Sequence, residues 1–358
     1  MKIISRYLLK AYGSILSIAL FGFLGLYLVI DVFEKVDDIL EKQASLGDAL
    51  QYFALKIPFI VTEGIPIAVL LATLITFGVL QRNREIVAFK AAGLSLATYG
   101  GPIVMATLVL AVGHIVLGEN LARGMNVAAQ KLWLEKIDRS PKHLEWKHEN
   151  VWYHGQGTIY QIRIYDTKAQ TFHNVSLFFL DQDFKLQQRL DARALRWEAG
   201  RWIAEDGAVL DLNHDPVEQS RFQMRRLELE ETPEDFAGLD TLPEEMDTFQ
   251  LYRYVKKTRD EGYSPTALEV ELNYRLAFPL TSIILAVIGM AISLKQGVHG
   301  RIASGIGLAL AAGTAYLGLL QVGTALASAG ILPPITGVWT GNLIFSALGI
   351  YLWIAAPQ

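Results

Sequence analysis

The chain has 358 residues, 52% of them hydrophobic, and its 32 Lys and Arg against 36 Asp and Glu leave a net charge of −4. It has no cysteine, which removes disulfides, thiolate metal sites and a Cys nucleophile. From Ile302 to Gln358 there is no Asp, Glu, Lys or Arg, a pattern that excludes an ordinary soluble domain and fits membrane-crossing helices.

Ala11 to Ile30 is the first apolar run long enough to cross a bilayer, for which roughly 20 residues suffice. Such runs are too long and continuous for barrel strands, so the spans are predicted to be helical. Asp31 to Asp38 reads as an acidic loop after the first span. A cleaved signal peptide would lead into a soluble chain, whereas this span leads into further apolar runs, so it is predicted to stay attached.

The second span covers about Leu55 to Leu80. Within it Pro58, Gly64 and Pro66 surround Glu63 and predict an interrupted outer end. Between this span and the third, Gln81 to Ser95 is too helix-prone for a linker. Ile86, Val87, Phe89 and Lys90 alternate with small alanines at helical spacing, and Gly93 supplies a stop. A short amphipathic helix over about 82–94, carrying Glu85 beside Arg82 and Arg84, suits a groove on a cytoplasmic partner. The same pattern also fits a helix lying on the lipid surface. Leu96 to Gly118 is the third span, with His114 near its outer end.

The middle of the chain, roughly 120–262, changes to β composition. Val151 to His154, Thr158 to Tyr165 and Asn174 to Leu180 are β-branched or aromatic runs separated by Gly155, Gly157 and Asp181. Arg196 to Ile203 reads as a hairpin with Ala199 and Gly200 at its tip, and strands at this spacing predict a sandwich or jelly roll. Thr232 to Glu245 turns Pro-rich and acidic, and Thr248 to Glu261 reads as a helix leading back to the membrane. Leu276 to Leu294, about Ile302 to Ala327, and Ile335 to Ala355 complete three further spans; Pro279 predicts a kink in the fourth.

The fold expected is therefore an α+β membrane protein: six transmembrane helices, three before and three after an inserted β domain. Its divisions are 1–119, 120–262 and 263–358. Lys2, Arg6 and Lys10, then Arg82, Arg84 and Lys90, then Lys295 and Arg301 fall in short segments that the positive-inside rule places in the cytoplasm. Both termini are then cytoplasmic and the β domain lies outside.

Chemistry-bearing motifs are sparse. No Gly-x-x-x-x-Gly-Lys-Ser/Thr loop is present, and His148-Glu149 is not followed by the second histidine of a zinc protease. His143, His148, His154, His173 and His214 have no metal-ligand spacing, so no metal, cofactor or catalytic residue is predicted in this chain. Asn174-Val-Ser176 is a formal glycosylation triplet that reads better as strand sequence. Glu63 and His114 are the ionisable groups within spans and are expected near the outer interface.

Leu80 to Ser95, the β segment Leu177 to Gly207 with Trp197 and Trp202, and Ala329 to Pro334 together resemble the LptF/LptG permeases of the lipopolysaccharide-export ABC transporter, and more closely the LptG type. The similarity covers essentially the whole chain. It implies a periplasmic β-jellyroll-like domain, an inner-membrane location, and a heterodimer with a second LptF/LptG-type permease. It also implies a dimeric cytoplasmic LptB-like P-loop ATPase that supplies ATP and Mg chemistry, LptC-like and LptA-like periplasmic bridge proteins, and lipopolysaccharide as cargo; no nucleic-acid partner is expected.

By the same resemblance Glu85, with Arg82, Arg84, Phe89 and Lys90, couples to the ATPase. The first and fifth spans form lateral gates, the latter rich in small residues such as Gly305, Gly307, Gly313 and Gly318. Some members place several lysines after the first span to meet lipid phosphates. Here Asp31, Glu34, Asp37 and Asp38 surround Lys35, so phosphate contact is expected from Lys35, Lys42, Arg123 or Lys131, or from the partner permease. Two other classes remain open on the residues: a mechanotransmission or sensor protein with an ATPase partner, and a membrane-embedded enzyme acting on envelope lipids.

Overall fold

The computed structural model describes residues 2–138, 151–155, 157–166, 171–181, 185–198, 200–212, 218–229, 231–233, 236, 243, 245–260, 264–296 and 302–355. It divides into two compact units, Met1–Leu132 with Asp247–Gln358, and Trp133–Met246.

The first unit is helical. Before the β unit lie α1 (Lys2–Glu41), α2 (Leu46–Arg82), α3 (Glu85–Ala91), α4 (Leu96–Leu117) and, beyond the π-helical turn Gly118–Ala122, α5 (Arg123–Leu132). After it come α6 (Thr248–Asp260), α7 (Thr266–Gln296), α8 (Ile302–Ser328) and α9 (Pro334–Ile354). Six helices are long and apolar enough to cross a membrane: α1, α2, α4 with its continuation to Asp138, α7, α8 and α9. The chain is a multi-pass membrane protein with the expected three-plus-three order.

Two local expectations are corrected. The segment Asp31 to Asp38 is not a loop, because α1 continues to Glu41. Nothing in Val-Phe-Glu-Lys-Val-Asp-Asp breaks a helix, and the chain turns only at Gln43, whose φ is 49°. Nor is α2 interrupted, since Pro58 and Pro66 lie inside one continuous helix. Backbone groups freed by proline find other partners inside a helical bundle.

α2 and α7 form the centre of this unit. Leu70 and Leu74 of α2 pack with Leu285, Ile288 and Ile292 of α7 and with Ala309 and Tyr316 of α8. Interhelical hydrogen bonds, which matter where lipid offers no alternative partner, reinforce the contacts. Tyr316 Oη donates to Asn342 Oδ1 at 2.8 Å, and Asn342 Nδ2 donates to the Ala277 carbonyl at 3.0 Å, two residues before Pro279. His114 is buried within the unit, with its ring edge-on to Phe278 at 5.6 Å.

The second unit contains β1 (Val151–His154), β2 (Thr158–Asp166), β3 (Thr171–Leu180), β4 (Leu186–Glu198), β5 (Arg201–Asp211) and β6 (Glu218–Leu227). They form one six-stranded antiparallel sheet in chain order, so the inserted β domain is an antiparallel meander among the described strands. The predicted hairpin is present: Trp197 pairs with Trp202, Glu198 pairs with Arg201, and Gly200 takes a φ of 80° that suits a residue without Cβ. One face is an apolar core of Tyr160, Ile162, Phe172, Leu177, Leu195 and Trp202, closed by Phe236. Trp202 Nε1 donates to the Glu231 carbonyl at 2.7 Å and Tyr160 donates to the Glu231 carboxylate, so the buried polar atoms there are paired.

Candidate functional site

The short helix expected between the second and third spans is present but covers fewer residues than expected. Only Glu85 to Ala91 are helical, with Arg82 closing α2 and Arg84 in a left-handed conformation, φ 61°, at the entry to α3. Gly93, φ 74°, ends α3: its N–H bonds the Lys90 carbonyl at 2.9 Å while Leu94 N–H bonds the Phe89 carbonyl at 3.0 Å. This is the closing pattern that glycine favours. The two left-handed residues turn the chain sharply at each end of seven residues.

The pattern of α3 separates two faces. Ile86 is 1% exposed and Phe89 packs on Tyr99, ring centroids 5.6 Å apart, so both anchor α3 to Leu8, Tyr12, Phe77, Leu80 and Tyr99. Val87, Ala88 and Ala91 are exposed. Small apolar side chains held outward by a fixed inner face make a smooth surface for another protein. Glu85 Oε1 accepts from Tyr7 Oη of α1 at 3.2 Å and from Asn83 Nδ2 at 3.3 Å. The acidic side chain at the head of α3 is thereby tied to the first membrane helix, a link between residues 78 apart in sequence.

At the other end of α1 lies a contact that the sequence did not reveal. Lys56 Nζ of α2 donates to Asp31 Oδ1 at 2.8 Å, with the two side chains 14% and 6% exposed. The same ammonium sits 5.6 Å from the ring centroids of Tyr27 and Tyr52, and Lys35 sits 5.7 Å from that of Tyr52. Charges this enclosed are retained only when paired and surrounded by polarizable groups. The i+4 spacing of Asp31 and Lys35 was visible, but Lys56 is 25 residues from Asp31 and was hidden in an apolar run.

The predicted phosphate-contact residues fall into two settings. Lys35 lies on α1 and Lys42 just beyond its end. Arg123 and Lys131 lie on α5, where Arg123 pairs with Glu119 at 2.8 Å, and the same carboxylate accepts from the Thr248 backbone and hydroxyl at the start of α6. Arg123 thus already helps to fix where α6 begins.

The α8 glycines expected at a lateral gate differ from one another in what surrounds them. A Cβ on Gly313 would lie 2.8 Å from the Leu70 side chain, whereas a Cβ on Gly307 or Gly318 would meet nothing within 4 Å. Gly305 is buried. The closest helix approach uses residues that were not singled out: a Cβ on Gly323 would lie 2.1 Å from the Gly337 carbonyl, and one on Gly337 would lie 2.6 Å from the Gly323 carbonyl. α8 and α9 meet backbone to backbone there. Glycine count along α8 was legible, but which glycines face α9 depends on packing.

Among the described residues no cluster of His, Cys, Asp or Glu could hold a metal ion; His143, His148 and His214 lie outside them.

No curated protein matches this chain. Residues 6–355, nearly its full length, match the family model described as the lipopolysaccharide export system permease LptF/LptG. Members of that family are transport permeases rather than enzymes, and its span includes all six membrane helices and the inserted β unit. The chain belongs to the LptF/LptG family of lipopolysaccharide export permeases.

Proposed function

We propose that this chain is one of two permease subunits that extract lipopolysaccharide from the inner membrane and pass it to a periplasmic bridge. A separate dimeric cytoplasmic P-loop ATPase drives the cycle and binds the ATP and Mg; this chain needs no cofactor of its own. The termini and α3 face the cytoplasm, and the β unit faces the periplasm, as the basic residues of the short loops require.

The observation that carries this reading is α3. Its inner face is locked into the bundle by Ile86 and Phe89, its outer face is small and apolar, and its Glu85 is hydrogen-bonded to α1. Force applied by a partner at α3 reaches a membrane helix whose flanks are largely uncovered. Coupling of this kind requires a physical element biased from both ends, and the Tyr7–Glu85 contact supplies the connection. Arg82, Arg84 and Lys90 set the turns and charge around it.

Two experiments test the reading. Glu85→Lys should stop export while leaving membrane insertion intact; normal export by that variant contradicts the coupling role. Replacing Lys35, Lys42, Arg123 and Lys131 with Gln should weaken lipopolysaccharide binding by the permease pair, and unchanged binding removes the phosphate-contact assignment.

A further inference from the structure

The face of the β sheet opposite its apolar core carries a groove of about 660 Å³. It lies along a crease. In each of four successive ladders one pair is missing at the same level: Arg163 opposite Asn174, Asn174 opposite Arg193, Arg193 opposite Asp206, and Asp206 opposite Gln223, although the pairs on either side keep register. Asn174 and Asp206 take left-handed φ values of 53° and 51°. The buried positions change parity across this line, from Phe172 to Val175 in β3, Ala192 to Leu195 in β4, and Ala204 to Val209 in β5.

The crease is built into the sequence. Asn and Asp are the residues that best tolerate the left-handed region after glycine. Gly207, next to Asp206, admits no side chain, because a Cβ would lie 2.2 Å from the Asp191 carbonyl. Left-handed residues other than glycine inside strands cost energy and persist where the surroundings hold them, a pattern that clusters at ligand sites.

The charges lining the groove are unequal: four arginines, Arg163, Arg189, Arg193 and Arg221, against Asp191 and Asp206. Arg189 pairs with Asp191 at 3.0 Å and Arg193 with Asp206 at 3.5 Å, which uses both carboxylates. The side chains of Arg163 and Arg221 have no partner among the described residues and are exposed. Guanidinium forks match phosphate and carboxylate oxygens in pairs. Gln161, Asn174 and Ser176 line the same groove, where the Ser176 hydroxyl already donates to Asp191 Oδ1 at 2.5 Å and offers its lone pairs, a mixed polar lining that suits hydroxyls more than a bare anion. The volume falls in the range of small-ligand sites rather than of flat protein interfaces.

We propose that this groove binds a phosphorylated or carboxylated sugar, and that its occupant is the glycan of the exported glycolipid; only this last identification rests on the export reading. Arg163 on β2 and Arg221 on β6 stand four strands, roughly 19 Å, apart, so each holds an anionic group at its own end of the groove, while the Arg189–Asp191 and Arg193–Asp206 pairs lie between them and the amides and hydroxyl contact the sugar ring.

The test uses the full chain in detergent and ligand-observed NMR with glucose 6-phosphate, glucose, inorganic phosphate and purified lipopolysaccharide as separate probes. Saturable binding of glucose 6-phosphate is expected, at least tenfold weaker for glucose and for phosphate, and displaced by lipopolysaccharide. Arg163→Gln/Arg221→Gln should abolish it, and Arg163→Lys/Arg221→Lys, which keeps the charge on the same exposed positions, should retain part of it. No binding of glucose 6-phosphate, or binding unaltered in the Gln variant, overturns the site. Phosphate binding as tightly as the sugar phosphate overturns the sugar contact, and failure of lipopolysaccharide to displace the probe overturns the glycolipid assignment. Since none of these readouts needs export, they separate this site from the transport reading tested at Glu85.

Discussion

α2 and α7 are held unlike α1. In their most apolar stretches 67% and 72% of the residues are buried within the unit, against 6% for α1. All three are apolar enough to cross a membrane, so composition does not distinguish them; contact does. α2 and α7 meet neighbours along their length, including a Cβ-free approach in which a Cβ on Gly289 would lie 2.9 Å from the Leu70 carbonyl. α1 is held along one side: by the Tyr7–Glu85 bond, by Leu8, Tyr12, Ile15 and Leu16 in the α3–α4 core, by Leu16 and Leu20 against Ile65 and Val69, by Phe23 against Gly64, and by the Asp31–Lys56 pair. A helix held along one side and bare along Ile18, Phe21, Leu26 and Val29 on the other has the form of a movable wall, while the α2–α7 pair has the form of a frame.

The contrast is broken most severely at its driven end. Glu85→Lys should lower export by an order of magnitude or more, the scale of typical coupling free energies, measured as lipopolysaccharide release from reconstituted membranes supplied with ATP. Next in size, Lys56→Met strands the enclosed Asp31 carboxylate and should cost about 3–5 kcal/mol, read as thermal unfolding in detergent. Asp31→Asn/Lys56→Met should recover much of that loss, because the uncompensated charge is gone, and equal destabilisation by both variants would remove the pair from the account.

A smaller loss is expected at the α8–α9 contact, where Gly323→Ala drives a methyl into the Gly337 carbonyl and should cost about 1–3 kcal/mol. Gly307→Ala and Gly318→Ala, with open space at each Cβ, should stay within about 0.5 kcal/mol of the parent. Similar effects at all three positions would show that α8 is packed along its whole length. As small in stability is Tyr7→Phe, which removes one exposed hydrogen bond at 3.2 Å and should cost about 0.5 kcal/mol, the low end for a single hydrogen bond. Its value lies in function: a fall in export with ATP hydrolysis retained would place the Tyr7–Glu85 contact in the drive to α1.

The frame was legible in the sequence and the contacts of the wall were not. Uninterrupted apolar runs announce spans because lipid forces every backbone group into a helix, and β1, β2 and the Trp197–Trp202 hairpin followed from alternation and turn residues. Hydropathy stops at Ile30, however, so the amphipathic last turns of α1 looked like a loop. Lys56 drew no notice inside its apolar run, because the Asp31 it pairs with lies 25 residues away in sequence. Prolines 58 and 66 signalled a break that the surrounding helices remove. The crease at Asn174 and Asp206 left no periodic mark, because a parity change in a strand resembles imperfect alternation.

The central claim, that lipopolysaccharide passes along this chain's uncovered helices, is tested most directly by site-specific photocrosslinking. A photoreactive residue at Leu26 of α1 or Leu308 of α8, both exposed, would be activated in membranes containing the assembled transporter, and the adducts identified by mass. The account predicts lipopolysaccharide adducts at both positions that change in yield on ATP addition and lose that dependence in Glu85→Lys. Adducts to phospholipid alone at both positions, in membranes that export normally, would contradict it.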